Sequence, residues 1–183
     1  GGLLDIEESN RVPEEAANAL IRAAEEGELS VPRLGVIKAK PGFRIVCAMN
    51  PYDDVGTSRV SRALMDRFVM LRVDYQSRDE EIEIVKLRTG SSREWLVELA
   101  VDIVRATRRH PAVRMGSSVR GAIDMVLLAE QLMRQRGAVD IEDLRMAAVM
   151  AIAPKIWLKD SSKSPEEVVE EIMRDLLARR GSI

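Results

Sequence analysis

Cysteine and histidine are nearly absent: in 183 residues there is one of each, Cys47 and His110. A disulfide within the chain is excluded. His110 has no second histidine with which to share a metal and reads as a loop residue beside Pro111. Cys47 lies in an apolar run and reads as a small core side chain. Aromatic residues make up only 3% of the chain, while 46% is hydrophobic and 32% charged, a globular composition weighted toward helix formers. No stretch approaches the ~18 consecutive apolar residues needed to cross a bilayer, and no basic-then-apolar leader precedes the first element. The expectation is a soluble, cytoplasmic protein with no membrane partner. A net charge of −2 and the lack of a basic run make nucleic acid an improbable partner.

What is present is organised around residues 43–68. Ile45, Val46, Cys47 and Ala48 fit a buried strand that must end at Asn50-Pro51, because proline cannot extend a sheet ladder. Asn50 is thereby held at a strand tip. Asp53-Asp54 and Gly56 read as turn chemistry, and Ser58 as the cap of a short helix over about Arg59 to Asp66. Arg67 follows, and Phe68 to Val73 reads as a second strand. An amide that can orient a water and a guanidinium that can neutralise a phosphoryl group suit phosphate chemistry. A simple turn at Asn50 and a surface ion pair at Arg67 would explain the same residues.

Upstream, Leu3, Leu4 and Ile6 read as a strand delivering Glu7 and Glu8 to its C-terminal end, where ligands gather in open α/β sheets. Pro13 starts a helix to about Glu26, with Gly27 just beyond it. Residues 29–31 and 36–39 form a hairpin. Downstream the pattern is helical only. Capping boxes at Ser77/Glu80, Ser91/Glu94 and Ser164/Glu167, a cap at Asp140, and stops at Gly137 and Pro154 mark five helices. Met115, Met125 and Met133 read as core filling. The fold class is α/β followed by all-α, divided as residues 1–75 and 76–183.

In this order the motifs resemble the MoxR-type branch of the AAA+ ATPases, over nearly the whole chain. The opening Gly-Gly-Leu-Leu-Asp-Ile-Glu-Glu-Ser-Asn-Arg-Val-Pro-Glu is similar to the Walker B strand of that family. The resemblance implies that Glu7 assists Mg²⁺, through a water, and that Glu8 polarises the attacking water. Asn50 matches sensor 1 and Arg67, in Asp-Arg-Phe, the arginine finger. Arg120, in Gly-Ser-Ser-Val-Arg-Gly, matches sensor 2 at the start of a lid helix. The hairpin resembles the insertion before sensor 1, and residues 1–75 a partial AAA+ core. A family member hydrolyses ATP with Mg²⁺ in a homo-oligomeric ring, expected to be a hexamer. It remodels or activates a protein client, often with a partner carrying a von Willebrand A domain.

Each role has a competitor. Glu7 and Glu8 could be a solvated strand end, Arg120 a surface arginine, and Arg59 or Arg62 could replace Arg67. The alternatives for the chain are a non-catalytic helical interaction module, or a magnesium-chelatase-like or DNA-acting AAA+ relative. Three departures stand out. No Gly-x-x-x-x-Gly-Lys-Ser/Thr phosphate loop occurs, so the chain reads as the C-terminal portion of a longer ATPase and is expected to bind ATP weakly by itself. Glu7 stands where the family has aspartate. Asp5 and Ser9 stand where it is apolar.

Overall fold

A computed structural model describes residues 1–50, 65–137, 140–159 and 162–180. The expected helix before Arg67, with Asp53, Asp54, Ser58, Arg59 and Arg62, lies outside the described residues. The chain divides into two compact units, Gly1–Val73 and Asp74–Ile183.

In the first unit, β1 (Leu3–Ile6) pairs in parallel with β4 (Arg44–Cys47), in a register that sets Leu3 opposite Arg44 and Ile6 opposite Cys47. Parallel strands need a crossover. Here it consists of a 3₁₀ turn at Ser9–Arg11, helix α1 (Glu14–Glu25) and an antiparallel hairpin of β2 (Glu28–Val31) and β3 (Gly35–Lys38). Pro13 occupies the N-cap of α1, and Gly27, at φ +65°, supplies the left-handed backbone that ends it. Among the described residues of this unit only Ser9 and Asn10 are buried; Leu3, Leu4, Val36, Ile37 and Val46 are exposed. Cys47 is half-buried rather than core, and Asp5 is exposed, so its charge carries no burial penalty.

The run Phe68–Val73 is not a strand. It pairs with no strand of the described residues, and Val69, Met70, Leu71 and Val73 stand in solvent. A strand exists only where a neighbour takes its backbone hydrogen bonds.

The second unit holds α2 (Arg78–Thr89), α3 (Glu94–Thr107), β5 (Val113–Met115), α4 (Val119–Arg136), α5 (Ile141–Ile152), β6 (Trp157–Leu158) and α6 (Pro165–Arg180). Its core interleaves Leu96, Leu99 and Ile103 of α3, Met125 and Val126 of α4, Ala148 and Ile152 of α5, and Val168 and Ile172 of α6. Met125 is fully buried and Met133 packs against this core. The local caps form as their residues dictate. Ser77 and Glu80 close a capping box, and Asp140 accepts the Asp143 amide at 2.8 Å. Ser164 and Glu167 exchange the same pair of bonds. Hydrogen bonds from the Ser77 hydroxyl and amide hold the Glu80 carboxyl below the usual range. The Ser91 box does not form, because the Ser91 hydroxyl donates to Glu130 on α4 at 2.6 Å and α3 begins at Glu94 without a side-chain cap. The loop expected around His110 instead leads into β5, which pairs with β6. No helix among the described residues is long and apolar enough to cross a membrane.

The contrast in burial gives a first prediction. The Arg44 and Ala48 amides, which bond Gly2 and Ile6, should exchange with solvent at least ~10²-fold faster than the amides of Ile103 and Val126 in native-state hydrogen exchange. Equal protection would mean that the two units unfold as one.

Candidate functional site

The C-terminal ends of β1 and β4 emerge side by side, and polar groups latch them there. The Ser9 amide and hydroxyl both donate to the Ala48 carbonyl, at 2.9 and 3.1 Å, and the Ala48 amide donates to the Ile6 carbonyl at 2.9 Å. One residue further on, the Asn10 side-chain amide donates to the Asn50 carbonyl at 3.4 Å. Ser9 and Asn10 are each only 8% exposed. Burial of their polar side chains is tolerated because each finds an acceptor.

This latch brings the Glu7-Glu8 turn and Asn50 to one edge of the sheet. Glu7 is exposed and forms no hydrogen bond or ion pair with the described residues. Glu8 is exposed, with its carboxylate 3.1 Å from the Arg11 guanidinium, and has a left-handed backbone at φ 51°. A non-glycine residue there stores strain on the order of 1–2 kcal/mol. The same left-handed backbone recurs at Arg33, φ 70°, between β2 and β3.

Arg67 is not at that edge. Its Nε and Nη2 donate to one Glu25 oxygen, at 2.9 and 2.8 Å, and Glu25 is the last residue of α1. With Lys40, Phe43, Arg44 and Phe68, Arg67 lines an open cleft of about 520 Å³ at the N-terminal end of β4. The twelve residues of α1, at 1.5 Å each, separate that end from the Glu8 end by roughly 18 Å.

Arg120 is the second residue of α4. Its side chain is exposed and forms no hydrogen bond or ion pair with the described residues. Its motif is fixed by close packing. A Cβ on Gly116 would lie 2.7 Å from the Arg108 backbone, and one on Gly121 would lie 2.2 Å from Ser117 Oγ. Ser117 is fully buried, its amide donating to Thr107 Oγ1 at 3.0 Å.

Three elements were not legible as site features: Ser9, Asn10, and the buried carboxylate of Glu81 with Arg105 and Arg108. Ser9 is a hydroxyl in a place that the family pattern makes apolar, and that substitution was its only signal. Elsewhere, burial pushes the Cys47 thiol up, helped by the Asp5 carboxylate, which suppresses reactivity. His110 accepts the Ala112 amide through Nδ1 and lies 3.9 Å from Glu171, a loop role. Among the described residues no group of three or more His, Cys, Asp or Glu side chains could hold a metal. Carboxylate oxygens such as that of Glu7 are the donor type that Mg²⁺ takes, with waters and substrate phosphates completing its shell.

Residues 1–68 match the AAA domain of the dynein-related subfamily. The chain is 27% identical to the uncharacterized protein YeaC of Bacillus subtilis, over 97% of this chain and 64% of that one. It is 26% identical to the gas vesicle ATPase GvpN1 of Halobacterium salinarum, over 96% and 50%. An uncharacterized protein of Staphylococcus epidermidis is 31% identical over 70% and 51%. The chain thus spans about half to two thirds of the length of these curated relatives. It is related to AAA+ ATPases, as its motifs imply, and its small parallel sheet followed by helices is compatible with a partial AAA+ fold.

Two pairs of variants check the local geometry. Glu8→Gly relieves the left-handed strain that Glu8→Ala retains, so by chemical denaturation the glycine variant should be the more stable by ~1 kcal/mol. Gly121→Ala should cost about 1–3 kcal/mol, and adding Ser117→Ala, which removes the opposing hydroxyl, should recover part of the loss.

Proposed function

We propose that this chain is the Walker B to lid portion of a MoxR-type AAA+ ATPase. The ATPase hydrolyses Mg-ATP in a cytoplasmic homo-oligomeric ring of hexameric form and couples turnover to remodelling a protein client, assisted by a partner with a von Willebrand A domain. The observation that carries the reading is the latch that holds the Glu7-Glu8 turn beside Asn50. A carboxylate and an amide at one strand edge can share a single water, which Glu8 polarises and Asn50 orients. Glu7 would hold Mg²⁺ through a water, and the ion would neutralise charge on the phosphates. Arg120 would sense the phosphate from the start of α4. Arg67, at the other end of α1, would serve a neighbouring copy's nucleotide.

The residues present do not provide everything that ATP needs. The β- and γ-phosphates require a backbone cradle and a lysine, and the sequence has no such loop. Calorimetric titration of this chain with ATP and Mg²⁺ should therefore show no micromolar binding; if it does, the assigned dependence on a phosphate loop is wrong.

In a chain that also carries a phosphate loop, Glu8→Gln and Arg67→Ala should each reduce turnover by at least ~10²-fold. Mixing the two variants should restore part of the activity, because some interfaces then pair an intact Glu8 with an intact Arg67. No recovery on mixing would place both groups in one chain's site and remove the ring from the scheme.

A further inference from the structure

Two carboxylates of the helical unit, Glu81 of α2 and Asp143 of α5, are buried to 1% exposure, and Glu81 is the one held by two arginines. An isolated buried charge is expensive, so both oxygens must be matched. Arg105 Nη1 donates to one at 2.9 Å and Arg108 Nη2 to the other at 2.6 Å. Neither arginine stops there. Arg105 also donates to the Gln76 carbonyl at 3.1 Å, and the Arg108 guanidinium lies 3.8 Å from the centre of the Tyr75 ring. Through Nε–H, Arg108 donates to the Ser117 carbonyl at 2.9 Å. The Ser117 amide is bonded to Thr107, and Gly116 sits against the Arg108 backbone.

One guanidinium therefore touches both the segment by which the chain enters the unit, Tyr75, and the residue three before Arg120. A core ion cluster needs only the Glu81 bonds. The Ser117 and Tyr75 contacts are additional and join two segments about forty residues apart in sequence. We propose that Arg108 is a positioning residue for Arg120, coupling the entry segment at Tyr75 to the first turn of α4 through the Ser117 carbonyl. The functional part of this rests on the reading that Arg120 meets a nucleotide phosphate. Arginine is required because its planar fork serves three directions at once, which the point charge of lysine cannot do. A fully satisfied buried network of this kind fixes geometry more than it adds stability.

The test places nitroxide labels on the 183-residue chain at Arg120→Cys and Asp175→Cys, in a Cys47→Ser background, and reads the distance distribution by pulsed electron resonance. In Arg108→Gln and Arg108→Lys the distribution should become about twice as wide. Tyr75→Ala should broaden it in the same direction, although the ring is distant in sequence from residue 120. Arg136→Gln is the control. It strips a partner from another buried carboxylate, Asp143, at 2.6 Å, and should lower the melting temperature without widening the distribution. Broadening that follows melting temperature across all four variants would overturn the proposal, as would an unchanged width in Arg108→Gln or Tyr75→Ala. The functional reading is tested separately, by Arg120→Ala in an ATP-hydrolysing chain. Unchanged turnover there, beside a broadened distribution in Arg108→Gln, would sink the phosphate role of Arg120 and leave the positioning role standing.

Discussion

Two parallel strands cannot be joined by a tight turn, and this constraint arranges everything else in the first unit. The chain must travel back along the sheet before β4 can run beside β1, and it does so through α1 and the hairpin. The consequence is that two segments about forty residues apart in sequence leave the sheet at the same edge. Ser9 converts that proximity into a fixed geometry, because its amide and hydroxyl converge on the Ala48 carbonyl. Without such a latch, the turn carrying Glu7 and Glu8 would be tied to the sheet only through the last ladder bond.

The two units are held by different physics. In Asp74–Ile183 a continuous core of Leu, Ile, Val, Met and Ala from five helices supplies the burial that offsets chain entropy. In Gly1–Val73 no described apolar side chain is fully buried, and the described residues rely on ladder bonds, the Ser9 and Asn10 latch, and exposed ion pairs. The strand faces of Leu3, Leu4 and Val46 are uncovered, as is the run Val69–Val73. Those side chains are apolar beyond what solvent-facing positions require.

What could be read from the sequence and what could not divide along the range of the interaction concerned. The helix boundaries at Ser77, Gly137, Asp140 and Ser164 were legible because each depends on groups three or four residues away. The Ser91 cap failed because its hydroxyl is claimed by Glu130, 39 positions distant. Phe68–Val73 has every local mark of a strand and lacks the non-local one. The short β5 and β6 were invisible because strands of three and two residues carry no period. For the candidate site, the motifs identified which residues to ask about, and the contacts that tie the two strand ends there run through Ser9 and Asn10. The Glu81 cluster went unread since charges spaced along helices look like a solvated face until burial is known.

Arg67 and the Glu8 turn lie at opposite ends of α1. The Arg67 guanidinium lies beside the last residue of α1, while the Glu8 turn precedes the first, so one helix length separates them. An arginine side chain spans well under that distance. If Arg67 neutralises a phosphoryl group near any Glu8, that Glu8 belongs to another copy. The ion pair to Glu25 does not oppose this, because both partners are substantially exposed, at 32% and 55%. Exposed pairs of this kind contribute about 0–1 kcal/mol. A charge-assisted contact to a phosphate is stronger than an exposed ion pair of this kind.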